Sequence, residues 1–179
     1  IQMQYSLAVR NIENEYVDAA QEMGIGIGIG IVPWSALANG LLTGKYKIEG
    51  NQVKGDGRVA ITWVTDPTIE PASPQMVQLV EVLKAVAKEI GRTPAQVALN
   101  WVTNRPGVVS TIIGATKLSQ LEDNIQALEF TIPDEQLKRL DEASAQKVVY
   151  PYFFHSGSLQ ENVRAVTKVT KRPHSYHSR

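Results

Sequence analysis

The stretch Val32-Pro33-Trp34-Ser35-Ala36-Leu37-Ala38-Asn39-Gly40-Leu41-Leu42-Thr43-Gly44-Lys45-Tyr46 decides how this chain is read. It closes an apolar run on an aromatic ring and passes into a loop of small and polar residues. Upstream, Ile25, Ile27, Ile29 and Ile31 alternate with Gly24, Gly26, Gly28 and Gly30, which is the two-residue period of a strand. A dinucleotide fingerprint wants glycines at positions one, three and six ahead of a helix, and this run has neither the spacing nor the helix. The strand therefore carries Ile on one face and Gly on the other. Trp34 can be read in two ways. It is either a core aromatic, or a platform for a flat ring beside a loop whose amides face a phosphate.

Toward the N-terminus, Ile1 to Leu7 alternates as a strand. A helix follows, with Ile12, Tyr16, Ala19, Ala20 and Met23 on one face, Glu13 and Glu15 in its first turn and Gly24 as its stop. Toward the C-terminus, residues 35–72 read as one long polar connection. Ser73-Pro74 then opens a helix with Met76, Leu79, Val80, Leu83, Val86, Ala87 and Ile90 in a stripe, closed by Gly91. Thr93-Pro94 starts another, carrying Val97, Ala98, Trp101 and Val102. Arg105-Pro106-Gly107 breaks it, and Val108 to Ile113 reads as a strand of the buried parallel type. A helix from about Leu118 is expected to turn Leu121, Ile125 and Leu128 inward, with Ser119-x-x-Glu122 as its capping box. Pro133-Asp134 opens a last helix bearing Leu137 and Leu140. After Lys147 the periodicity stops, so residues 1–146 are expected to form the domain and 147–179 a surface tail.

Strands separated by helices imply parallel pairing with right-handed crossovers. Three strands leave two open sheet edges, and a closed eight-stranded barrel takes about 250 residues against the 179 present. Ile1 falls inside a strand pattern with no Met or leader before it, so a fragment or a processed chain is expected. Lys plus Arg and Asp plus Glu each number 18, a balance that argues against nucleic acid or an anionic membrane as partner. No apolar run reaches the length of a membrane span. There is no Cys, which excludes disulfides and thiolate metal sites and fits a reducing cytoplasm; no metal site is expected.

A second motif is Ile112-Ile113-Gly114-Ala115-Thr116-Lys117-Leu118-Ser119-Gln120-Leu121-Glu122-Asp123-Asn124. A strand end, a small-residue turn and a helix start make either an ordinary capped helix or an anion site, since free amides and the helix dipole point the same way. A third is Gln2 in Gln2-Met3-Gln4-Tyr5, uninformative alone.

Taken together, these motifs resemble the aldo-keto reductase family over roughly residues 1–145, in the right order and spacing. The ending Leu-x-Gly-Lys-Tyr is similar to that family's bacterial and channel-subunit branches. The resemblance implies an α/β chain that is the C-terminal portion of a (β/α)8 TIM barrel, three parallel strands with flanking helices. It implies that Trp34 stacks on a nicotinamide and Gln2 bonds its carboxamide, while Ser35, Leu37, Asn39 and Lys45 meet the pyrophosphate. The segment with Gly114, Ala115, Thr116, Lys117 and Gln120 would then grip the adenosine end, Lys117 and Gln120 near the 2′-phosphate and Asp123 and Asn124 near the adenine. NADP(H) is the implied cofactor because Lys117 offers a cation, although Gln120 stands where many members carry Arg and leaves NAD open.

The implied reaction is reduction of a small carbonyl substrate, an aldehyde or ketone. The family's Tyr acid, its Lys and His partners and its Asp sit on the first four strands, which this sequence lacks. No catalytic residue is therefore assigned, and Tyr5, Tyr16, Tyr46, Lys45 and the tail histidines are not promoted to that role. The partners expected are the missing N-terminal barrel half or a second copy, through the open strand edges. A different class of reading is a catalytically silent, truncated relative that binds nucleotide or serves as an interaction module. The four Gly-Ile pairs depart from the one or two in resembling members, and added pairs keep alternation at the cost of a register shift or a bulge.

Overall fold

A computed structural model of the chain describes residues 1–22, 29–49, 52–55 and 69–155. Strand β1 (Gln2–Gln4) pairs in parallel with β2 (Val32–Trp34), in the register Gln2 to Val32, Met3 to Pro33 and Gln4 to Trp34. A third parallel segment lies along the other edge of β2. The Ile31 amide donates to the Gly107 carbonyl at 2.8 Å, and Val109 returns a bond to Ile31 at 3.0 Å. Regular pairing would next join residue 111 to Pro33, but the amide of Ile112 donates there instead, at 2.8 Å. Pro33 has no N–H to offer, so the ladder loses one rung and the segment bulges by a residue. Alternation alone does not reveal this interruption. The approach is close: a Cβ on Gly30 would lie 2.6 Å from a Val109 methyl.

The long helices follow the apolar periodicity. Helix α1 spans Tyr16–Glu22, α2 Pro74–Glu89, α3 Pro94–Thr103, α4 Leu118–Ile125 and α5 Asp134–Ala143. Ser73 caps α2 by accepting from the Met76 amide, and Thr93 with Gln96 forms a reciprocal box at the start of α3. The expected stripe of α2 is buried from Met76 to Ala87, as are Val97, Ala98, Trp101 and Val102 of α3. They pack with Tyr5, Leu7, Ile31, Leu41, Leu42 and Leu140 into one core.

Several expectations are corrected. The first strand stops at Gln4 because Ser6 turns back on Val9, its hydroxyl accepting from the amides of Ala8 and Val9. The first helix is divided: a 3-10 turn at Asn11–Asn14 ends at Glu15, and α1 then leaves Tyr16 exposed while Val17 and Ala20 are buried. Glu13 lies in that 3-10 turn rather than in the first turn of α1, held by a side-chain bond from Arg10. The 35–72 connection contains a 3-10 segment at Ala38–Thr43 and an antiparallel hairpin of β3 (Lys47–Glu49) and β4 (Gln52–Lys54), which adds two short strands to the three parallel segments.

The 108–113 segment is not of the buried type, since Val109, Ile112 and Ile113 are exposed. Nor does α4 turn its stripe inward, as Leu121, Ile125 and Leu128 are exposed along with Leu118. Asn124 and the following Ala127 are buried instead, because α4 meets α3 through its polar side. The cap of α4 is Gln120, not Ser119 with Glu122: its Oε1 accepts from the amides of Thr116 at 2.9 Å and Lys117 at 3.3 Å. The glycine stop at Gly24 and the alternation from Ile25 to Gly28 lie outside the described residues, as does the tail from 156 onward.

Candidate functional site

Parallel pairing fixes which loops share an end of the sheet. β1, β2 and the 107–112 segment run the same way, so the chain after Gln4, after Trp34 and after Ile112 leaves at one edge. Trp34 and Gly114 therefore emerge side by side, two residues beyond the bonded pair of Pro33 and Ile112 in the second case.

Trp34 ends β2 with 43% of its surface exposed, so the core-aromatic reading fails for this ring. Its register partner is Gln4, while Gln2 lies two residues back on the same face and is also exposed. Gln4 was missed in sequence because the motif drew attention to Gln2; strand alternation places both beside the β2 face that carries Trp34. Ser35 follows with φ of 56°, the left-handed region that L-residues avoid. Its Oγ is buried and has no hydrogen-bond partner among the described residues. A buried hydroxyl left unpaired costs about 1–3 kcal/mol, and strain beside it adds to that.

The loop continues in the same manner. Ala38 and Asn39 have φ of 50° and 57°, and Gly40 reaches 94°. The Leu37 carbonyl gathers the amides of Gly40 at 2.9 Å and Leu42 at 3.2 Å, which pulls the loop into a tight arch. Thr43 closes it through its hydroxyl to the Gly40 carbonyl at 2.7 Å. Lys45 is exposed, with its ammonium 5.0 Å from the Tyr46 ring centroid, whereas Tyr46 itself is buried. Three successive left-handed residues, Ala38, Asn39 and Gly40, shape the arch, and the amides of Ala38, Gly40 and Leu42 are spent on carbonyls within it.

The second half of the site is open. Gly114, Ala115, Thr116, Lys117 and Gln120 are all exposed, and a Cβ on Gly114 would meet nothing within 4 Å. Gln120 holds the turn by its bonds to the Thr116 and Lys117 amides and accepts from the Thr116 hydroxyl at 3.1 Å. An anion taking those amides would have to share them with this side chain. Asp123 points back to α3, accepting from the Thr93 hydroxyl at 3.1 Å and from Gln96 Nε2 at 2.9 Å. Asn124 is buried beside it.

Among the tyrosines, Tyr5 is fully buried; its hydroxyl donates to Glu13 at 2.7 Å and its ring meets Trp101 edge-on at 5.6 Å. Tyr5 and Tyr46 are core residues. Among the described residues no group of three or more His, Asp or Glu could hold a metal ion, and no helix is long and apolar enough to cross a membrane.

Comparison with known proteins bears on the same stretch. The sequence profile described as "Aldo/keto reductase family" matches residues 1–145. The chain is 33% identical over 147 residues to a putative voltage-gated potassium channel subunit beta of Schizosaccharomyces pombe, covering 79% of this chain and 40% of that protein. It is 33% identical over 129 residues to a probable voltage-gated potassium channel subunit beta of Arabidopsis thaliana, covering 72% and 38%. It is also 32% identical over 145 residues to an L-glyceraldehyde 3-phosphate reductase of Escherichia coli O157:H7, covering 74% and 39%. The chain thus spans about 40% of the length of the curated relatives it matches.

Proposed function

The chain belongs to the aldo/keto reductase family, and from that premise we propose that it is the C-terminal, cofactor-holding portion of a (β/α)8 barrel that reduces aldehydes or ketones with NADPH. The observation that carries this reading is the shared edge of Trp34 and Gly114. An extended dinucleotide needs an aromatic platform at one end and an anion-receiving turn at the other, and the bond between Ile112 and Pro33 sets the two side by side. The unpaired, buried Ser35 Oγ in a strained loop fits a ligand that would supply its missing partner.

In this reading Trp34 holds the nicotinamide and Gln2 its carboxamide. Ser35, Leu37, Asn39 and Lys45 hold the pyrophosphate, and Lys45 neutralises part of its charge. Gly114, Ala115, Thr116, Lys117 and Gln120 hold the 2′-phosphate end, with Asp123 and Asn124 toward the adenine. NADP(H) is favoured by the Lys117 cation; the neutral Gln120 keeps NAD(H) in play. When bound, the dinucleotide supplies the hydride. This chain's residues orient it and neutralise its phosphates, and the proton comes from a group outside the chain. The open strand edges and the exposed stripe of α4 are covered by the remaining barrel strands, or by a second copy when those are missing. The domain ends near residue 146.

Titration of the chain with NADPH tests the proposal. Tryptophan fluorescence should be quenched, and Trp34→Ala should abolish the quenching and weaken binding by roughly 1–3 kcal/mol, the worth of aromatic stacking on a base. Equal quenching in Trp34→Ala would sink the assignment. A second reading, a nucleotide-binding module without turnover, is favoured by the relatives named as potassium channel beta subunits. Reduction of a small aldehyde by this chain alone would overturn both readings, since each leaves the chain without its own proton donor.

A further inference from the structure

We propose that Gln96 is a positioning residue for the adenosine end of the dinucleotide site, acting through Asp123; the inference rests on the functional reading above. Helix α4 has only eight residues, too short to hold itself in water. Its apolar residues Leu118, Leu121 and Ile125 are exposed, so apolar burial does not set its rotation. Polar groups of α3 do. Gln96, 3% exposed, donates through Nε2 to Asp123 at 2.9 Å and to the Gln126 side-chain oxygen at 3.1 Å. One turn on, Asn100 donates to the carbonyls of Ala127 at 2.8 Å and Phe130 at 2.6 Å.

The orientation of the Gln96 amide is fixed by chemistry. Its oxygen accepts from the Thr93 amide at 3.2 Å, and a backbone N–H can only donate, so the NH2 must face the carboxylate. Gln96 thus joins the cap of α3 to the body of α4. Asp123 lies three residues after Gln120 on one helical face. Rotating α4 about its axis would therefore carry Gln120, and the Thr116 and Lys117 amides it grips, away from their places.

Gln96→Glu is the informative change, because it keeps an oxygen for the Thr93 amide and replaces the donor by a charge that repels Asp123. Affinities would be measured on the 179-residue chain for NADPH, for 2′,5′-ADP as the adenosine end and for reduced nicotinamide mononucleotide as the other end. The expected result is a loss of about tenfold for NADPH and 2′,5′-ADP, the scale of a hydrogen bond to a charged group, with the mononucleotide unchanged. The double variant Q96E/D123N, which restores one donor and one carboxylate to the pair, guards against simple misfolding. Without ligand, hydrogen exchange of residues 116–125 should quicken in Q96E and slow again in the double variant.

Unchanged binding of 2′,5′-ADP in Q96E, or equal losses for both halves of the dinucleotide, would overturn the positioning role alone. Failure of the unsubstituted chain to bind any of the three probes would overturn the functional reading and this inference with it.

Discussion

The amide of Ile112 donates to the carbonyl of Pro33 across 2.8 Å, one residue out of step with the pairing that precedes it. That contact seats the turn at Gly114 beside Trp34. The proline has no N–H to donate, so the sheet loses a rung at the point where the register shifts, and the shifted contact fixes how far Gly114 stands from Trp34 along the sheet.

Ser35 should trade stability for binding. Ser35→Ala keeps a Cβ, leaves the backbone strain as it is, and removes a buried hydroxyl that has no partner among the described residues. The ligand-free chain is expected to gain about 1 kcal/mol in chemical denaturation, while NADPH affinity falls by about tenfold. A variant both less stable and unchanged in affinity would show that the hydroxyl has no ligand to meet.

Arg10 ties three parts of the chain together. It donates to both Glu13 oxygens at 2.9 Å, to the Asp141 carbonyl at 3.0 Å and to the Ser144 hydroxyl at 2.7 Å. Arg105 also lies against Trp101, 3.8 Å from the ring centroid, and pairs with Asp141. Arg10→Met would leave Glu13, only 9% exposed, without its counter-charge. The expected loss is about 3 kcal/mol, or roughly 6–12 °C in Tm for a chain of this size. By contrast, the exposed pair of Arg139 and Glu89 should matter little, and Arg139→Met should leave Tm unmoved.

The tail contact should depend on alkaline pH. Tyr152 donates to Glu15 at 2.7 Å, and this bond raises its pKa above the ordinary 10.0. A raised folded value means that the contact is present in full below the ordinary pKa and lost as pH climbs through the raised one. The 13C shift of the Glu15 carboxyl should therefore respond to loss of this bond only above about pH 10, the ordinary tyrosine value. Tyr152→Phe should show the unbonded Glu15 shift at every pH; a shift unchanged from the unsubstituted chain in that variant would mean that Glu15 does not depend on the phenol.

The stripe on α4 should govern association of the isolated chain. Leu121 and Ile125 are exposed, so L121K/I125K leaves the core untouched. The unsubstituted chain should sediment as a concentration-dependent oligomer and the double variant as a monomer, with the same circular dichroism. Oligomers that persist in the variant would move the interface to the strand edges.

The sequence by itself determined the long helices, their caps at Ser73 and Thr93, and the loop after Trp34, because periodicity and capping are local consequences of side-chain spacing. It also placed the stripe of α4 in register. Which way that stripe would face was a tertiary decision, since a 3.6-residue period says that one side is apolar and not what stands against it. The buried amides of Gln96 and Asn100 took the polar side inward. The short parallel strands and the bulge opposite Pro33 were likewise settled by pairing between distant segments, which no window along the chain can contain. The left-handed strain at Ser35 belongs with them. A serine carries no sign of its φ, and only the packed loop holds it where its hydroxyl finds no partner among the described residues.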